Sequence, residues 1–332
     1  MKKLTPEVKK LLINFIGFCV FFSIIAFSLE KGIAYFVTLS GDSQTGKVNL
    51  IMEHKIDSDV MIFGSSVAEV GFNSNVIESN LNKSVYNLAI DGTPILKSEF
   101  LIDEFLSYSE KCDTIMIGLA FFSFSKMQEM NEPGRYLAHK SNKYLKENIR
   151  KVAPELHAKL YNVPFYSFIV ADHTYYKNAY LGLKNVINKK TFYGNQEKGF
   201  SVHDETYYDT RSTDGLKMDI EFSEKVIERF KRVVEKIKSH NITPILIITP
   251  MHINGQSFYN NYKEYTNIAK DISEKTNTRL IDFSKSNITK EDKYFYNNGH
   301  LNKLGALTFS KNVCDSIATN PQTPQKVYVK QK

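Results

Sequence analysis

The chain has 332 residues, 42% hydrophobic and 24% charged, which is the composition of an ordinary globular protein long enough to bury a sizeable core in one large or two small domains. Its formal net charge of +7 favours anionic polymers or lipid headgroups, but the 43 Lys and Arg are spread along the chain with no Arg-rich, aromatic-interleaved run, which argues against nucleic acid as a partner. Three cysteines give no disulfide framework, and eight scattered histidines lack the close spacing of a metal site; no metal or cofactor is implied.

From Leu11 to Leu29 the sequence is mostly Leu, Ile, Phe and Val without a charge, and it follows Lys2, Lys3, Lys9 and Lys10. About 19 such residues suffice to span a bilayer, and the flanking lysines should stay cytoplasmic. Residues 1–35 therefore read as a single-pass transmembrane anchor in the cell membrane, with the bulk of the chain extracytoplasmic. A cleaved signal peptide is the rival reading, since Ala26 and Ser28 make a passable cleavage site. Residues 36–56, with Gly41, Asp42 and Gly46 among polar residues, read as a connector.

The main domain is expected over 57–318. Asp59 to Phe63 is a short apolar run that ends in Gly64, Ser65 and Ser66, the pattern of a buried parallel strand turning into a helix. Ligands bind outside the carboxyl ends of such strands, which singles out the two serines. A serine N-cap would give the same residues without any chemistry. Val85 to Ala89 repeats the pattern and runs into Ile90, Asp91 and Gly92. A helix near 96–109 and a strand from Thr114 to Ala120 complete a βαβ rhythm, which implies parallel strands and right-handed crossovers.

Residues 126–215 interrupt the rhythm as an insertion rich in Tyr, Lys and Asn. Its tyrosines, at 136, 144, 161, 166, 175, 176, 180, 193, 207 and 208, either fill a small core of their own or stack on sugar rings over a site. The rhythm resumes with a helical period from about Asp219 to His240, a strand from Thr243 to Thr249, a helix over 260–276 and a strand from Arg279 to Phe283. Pro244 is tolerable at the start of its strand. His252, just past the fourth strand, lies at the sheet edge that carries Ser66, where it either contacts substrate or is an incidental loop histidine. Residues 319–332, with two prolines and three lysines, read as a disordered tail.

Three short motifs, Gly64-Ser65-Ser66, the Asn87 to Gly92 stretch and Asn297-Asn298-Gly299-His300, resemble in order and spacing the SGNH (GDSL-like) hydrolase superfamily. The likeness is to its Gly-Ser-Ser branch of envelope O-acyltransferases and D-alanyl transfer proteins of lipoteichoic acid synthesis, and it covers 57–120 and 219–318. It implies an α/β, flavodoxin-like three-layer sandwich with a mostly parallel five-stranded sheet. Ser66 would be the nucleophile and His300 its base, with the Ser66 and Gly92 amides as an oxyanion hole to which Asn87 adds or whose loop it holds. Two positions depart from the pattern. Asn297 stands where the family has an aspartate three residues before the histidine, and Ala120 replaces the asparagine of a Gly-x-Asn block that begins at Gly118.

The activity so implied is a serine-dependent O-acyl (acetyl or aminoacyl) transferase or esterase acting on an envelope glycan or teichoic-type polymer. A multispanning membrane acyltransferase would be its partner. The alternative is a catalytically inactive SGNH-fold binding or scaffold protein of an envelope-modification complex.

Overall fold

Short apolar runs punctuated by Gly, Ser, Asn and Pro become the strands of one parallel sheet in the computed structural model, which describes residues 5–41, 43–126, 130, 132–189, 197–209 and 217–319. Tyr193 and all but the first residue of the expected tail lie outside the described residues. The chain divides into two compact units, Met1–Asn49 with Glu132–Tyr193, and Leu50–Asn131 with Gly194–Lys332.

In the second unit β1 (Val60–Gly64), β2 (Val85–Asn87), β3 (Thr114–Leu119), β4 (Thr243–Ile248) and β5 (Arg279–Asp282) form a sheet in the order β2-β1-β3-β4-β5. All neighbouring strands run parallel, as the βαβ rhythm requires. This is the flavodoxin-like order, whose direction of winding reverses at β1 and β3.

Alternation along each strand sends side chains to two helical layers. Val60, Ile62, Met116, Ile245 and Ile247 face one core with Ala68, Phe72, Ile77, Phe309 and Val313, from the helices Ser66–Gly71, Ser74–Leu81 and Lys303–Thr319 and their ends. On the other face Phe63 meets Phe105 of the helix Glu99–Leu106, with ring centroids 6.2 Å apart. The helices Glu224–Ser239 and Tyr262–Lys275 also pack on β4. Pro244 is accommodated because β5 begins pairing with β4 only at Ile245.

The first unit is helical. A 33-residue helix, Pro6–Thr38, carries the whole of the apolar segment and is long and apolar enough to cross a membrane. The anchor and connector meet inside this helix, and a second helix, Ser43–Met52, follows with Val48 fully buried. The His173–Ile187 helix packs on Pro6–Thr38 so closely that a Cβ at Gly182 would lie 1.7 Å from the Phe36 carbonyl oxygen. Of the insertion's tyrosines, Tyr136 and Tyr175 are buried in the fold, whereas Tyr180 and Tyr208 are exposed.

Candidate active site

Ser66 opens the Ser66–Gly71 helix directly after β1, with Ser65 as its extended N-cap. Gly64 pairs in register with Gly118 of β3, and a Cβ on either would come within 2.6 Å of Ala68 Cβ. Only a pair of glycines lets this helix lie so close over the strand ends at the reversal point of the sheet. Ser66 is half-buried, while Ser65 is buried and its hydroxyl has no hydrogen-bond partner among the described residues.

His300 reaches Ser66 from a tight loop. An antiparallel bridge joins Phe295 to Leu301, and the Tyr296 amide donates to the His300 carbonyl at 3.1 Å. Within this loop the Gly299 and His300 amides both donate to Asn297 Oδ1 at 2.9 Å, which fixes which way the Asn297 amide points. The same oxygen lies 2.9 Å from His300 Nδ1. Since Oδ1 only accepts, Nδ1 must carry the proton and Nε2 must present its lone pair. Nε2 lies 2.8 Å from Ser66 Oγ, the geometry of a base taking a hydroxyl proton.

Burial draws the His300 pKa down to about 4, with the nearby Asp91 charge opposing and His203 adding to the fall. The imidazole is therefore neutral, and able to act as a base, throughout the neutral range.

Tyr296 stacks on the His300 ring at 5.5 Å between centroids, and His203 stacks on Tyr296 at 4.6 Å. Neither Tyr296 nor His203 carries a local sequence signal, because nothing in the residues around position 203 shows that it will meet a loop almost a hundred positions later. Beside His300 is a cavity of about 300 Å³ whose walls include Phe121, Met251, Phe258 and Tyr259. Its largely apolar lining suits an acyl chain or the face of a ring.

Two residues expected at the site have other partners. Asn87 is fully buried, and its amide donates to the carbonyls of Ala68, Glu69 and Phe72 while its oxygen accepts from the Ala89 amide. With both ends engaged in the fold, Asn87 clamps the helix after Ser66, and its amide hydrogens are taken up by those carbonyls. Asn87→Ala should accordingly lower unfolding free energy by about 1–3 kcal/mol in a urea titration, the cost of stranding buried carbonyls. A loss in kcat with unchanged stability would contradict the clamp.

His252 is buried instead of facing substrate. Its Nδ1 accepts from the Asn254 amide at 3.2 Å and lies 3.2 Å from the Tyr207 hydroxyl. Asp292 Oδ1 lies 2.9 Å from His252 Nε2 but is not aligned for a hydrogen bond. The His252 amide donates to the Asn298 carbonyl, and Tyr207 donates to Asn298 Oδ1, so this polar cluster braces the loop that carries His300. Gly92 keeps its expected place in the loop after β2, with a positive φ of 65°. That loop stays beside β1, since the Ile90 amide donates to the Gly64 carbonyl.

No family model matches the sequence, and no curated protein matches it. Solved structures do. A putative platelet activating factor from Streptococcus pneumonia is 10% identical, with 85% of this chain and 94% of that one covered and a TM-score of 0.45. The acetyl xylan esterase AlAXEase is 14% identical over 78% of this chain and 99% of its own, at 0.39. A catalytic mutant of Axe2, an acetylxylan esterase from Geobacillus stearothermophilus, is 14% identical over 79% and 96%, also at 0.39. The structural neighbours include esterases. At such identities and TM-scores their activities carry nothing over to this chain, whose chemistry must be argued from Ser66 and His300. The fold is the one that the SGNH resemblance implies.

Proposed function

We propose that the chain is a membrane-anchored, serine-dependent O-acyltransferase or esterase of the SGNH type, acting on an envelope glycan or teichoic-type polymer. The carrying observation is the relay in which Asn297 Oδ1 holds His300 Nδ1 and His300 Nε2 meets Ser66 Oγ. In the first half-reaction Ser66 Oγ attacks the carbonyl carbon of an acyl ester, and His300 Nε2 takes the hydroxyl proton. The negative charge on the carbonyl oxygen is met by the Ser66 and Gly92 amides. The tetrahedral intermediate then expels the donor's alcohol oxygen, which receives the proton from His300, and the acyl group remains esterified to Ser66. In the second half a polymer hydroxyl, or water, gives its proton to His300 and attacks the acyl carbon, the bond from that carbon to Ser66 Oγ breaks, and Oγ takes the proton back from His300.

The envelope assignment draws on the family resemblance and on the Pro6–Thr38 helix, which would hold the catalytic unit at the outer face of a membrane with a multispanning acyl donor as neighbour. The chain should stay in the membrane fraction through a high-salt wash. A mature N-terminus near Leu29 would remove the anchor.

A scaffold reading has its own observations: Asn297 supplies no carboxylate, and Ala120 has no side-chain donor for the oxyanion. A fluorophosphonate probe separates the two. Labelling is expected, with the adduct on Ser66 by peptide mass spectrometry and lost in Ser66→Ala. Folded protein that takes no label supports the scaffold, and an adduct on Ser65 overturns the assignment of the nucleophile.

A further inference from the structure

Within the first unit, the stretch Val163–Val170 is apolar and lies at one defined level of the Pro6–Thr38 helix. From Leu11 to Leu29 this helix carries no charge, and about 19 residues rise roughly 28 Å, close to the ~30 Å of a hydrocarbon core. Glu30 is the first charged residue after that segment and is buried. Ser167 and Lys140 both bond the Glu30 carboxylate, and Lys140 Nζ lies 3.3 Å from Ser167 Oγ. Ser167 sits in the short helix Tyr166–Val170, so the loop around it is fastened where the helix would leave the hydrocarbon.

That loop reads Val163, Pro164, Phe165, Tyr166, Ser167, Phe168, Ile169, Val170, without one charge. It turns Val163 (46% exposed) and Ile169 (73% exposed) outward while Ser167 faces Glu30. Scattered exposed apolar side chains need no explanation, but this cluster is fixed beside the end of a spanning segment and carries Tyr166, an aromatic of the kind enriched at the headgroup level, between Phe165 and Phe168. Exposed Lys143, Lys146 and Lys159 in the same unit suit anionic headgroups.

We propose that Val163–Val170 is a membrane-docking loop which inserts Val163 and Ile169 into the interface of the leaflet that the Pro6–Thr38 helix leaves. The occupant of this surface is lipid, because the Glu30 contacts fix the loop at headgroup depth whatever else is near. The proposal rests on the anchor reading. Docking at two points would limit tilting of this unit that a single helix leaves free.

The test uses the full chain, with Cys19, Cys112 and Cys314 replaced by alanine, in vesicles of phosphatidylethanolamine and phosphatidylglycerol. An environment-sensitive fluorophore is placed at Ile169→Cys, at Gly17→Cys within the span, or at exposed Lys225→Cys, and lipids bearing nitroxides at the headgroup or deep in the acyl chain serve as quenchers. The label at 169 should lose roughly half its emission to the headgroup nitroxide, that at 17 should respond to the deep one, and that at 225 to neither. An unquenched label at 169 beside a quenched one at 17 overturns the docking loop and leaves the anchor standing. An unquenched label at 17 removes the anchor and the proposal with it. A blue-shifted but unquenched label at 169 overturns lipid as the occupant in favour of a protein surface, such as a second copy or a multispanning partner.

Discussion

Alanine at Ser66 or at His300 is expected to lower kcat for a simple aryl acyl ester by on the order of 10⁴- to 10⁶-fold, and the double variant should be little worse than either single one. The non-additivity follows from the geometry: with Ser66 Oγ 2.8 Å from His300 Nε2, each group is effective only through the other, so removing one already removes the unit. Neither change should unfold the chain, because Ser66 is a half-buried first residue of its helix and His300 is held by its own loop backbone. Ser65→Ala is the control. That hydroxyl makes no capping bond, and its loss should leave the rate within a few-fold. Losses below about tenfold at both Ser66 and His300 would mean that whatever turnover is seen does not pass through this pair.

Much of this site was legible in the sequence, for local reasons. An apolar run closed by Gly64 declares a buried strand, and the next residues must then lie at the carboxyl end of the sheet, where β1 and β3 part. His300 was legible through the motif resemblance alone; its loop also carries its own hydrogen bonds, with Asn297 Oδ1, three residues away, 2.9 Å from the ring Nδ1. What stayed hidden depends on distant pairs. Asn87 looks from sequence like any polar residue ending a strand, and only the placement of the Ala68, Glu69 and Phe72 carbonyls decides that it is a clamp. The same holds for His252, whose partners Tyr207 and Asp292 are some 40 positions away on either side. The tyrosine-rich insertion could not be assigned either, since its helix His173–Ile187 finds its partner in the N-terminal helix, more than a hundred residues earlier.

Asn297→Asp is expected to make the enzyme faster, by about 10- to 100-fold in kcat/KM near neutral pH; the converse change in a serine protease costs about 10⁴ in kcat. The position is already arranged for a carboxylate, because the Gly299 and His300 amides converge on Asn297 Oδ1 and would stabilise an ionised oxygen there. As an amide, Asn297 sets the tautomer of His300 but gives the imidazolium that forms during proton transfer no opposite charge. With aspartate the imidazolium gains that charge at the 2.9 Å separation now held by the amide oxygen. The pH profile reports the same change with a definite sign. A general base works unprotonated, so activity falls as pH drops through the pKa of His300, and in the natural chain that fall is expected around pH 4. Aspartate favours the protonated ring, so the acid limb should move upward, toward the ordinary histidine range, while the neutral plateau rises. Asp292 is not an alternative acid in this structure, since its carboxylate faces His252 at 2.9 Å. Asp292→Ala should therefore leave the position of the acid limb unchanged. An unmoved rate and limb in Asn297→Asp, together with abolished activity in Asp292→Ala, would show that a different acid serves His300 and that Asn297 is not the residue orienting it.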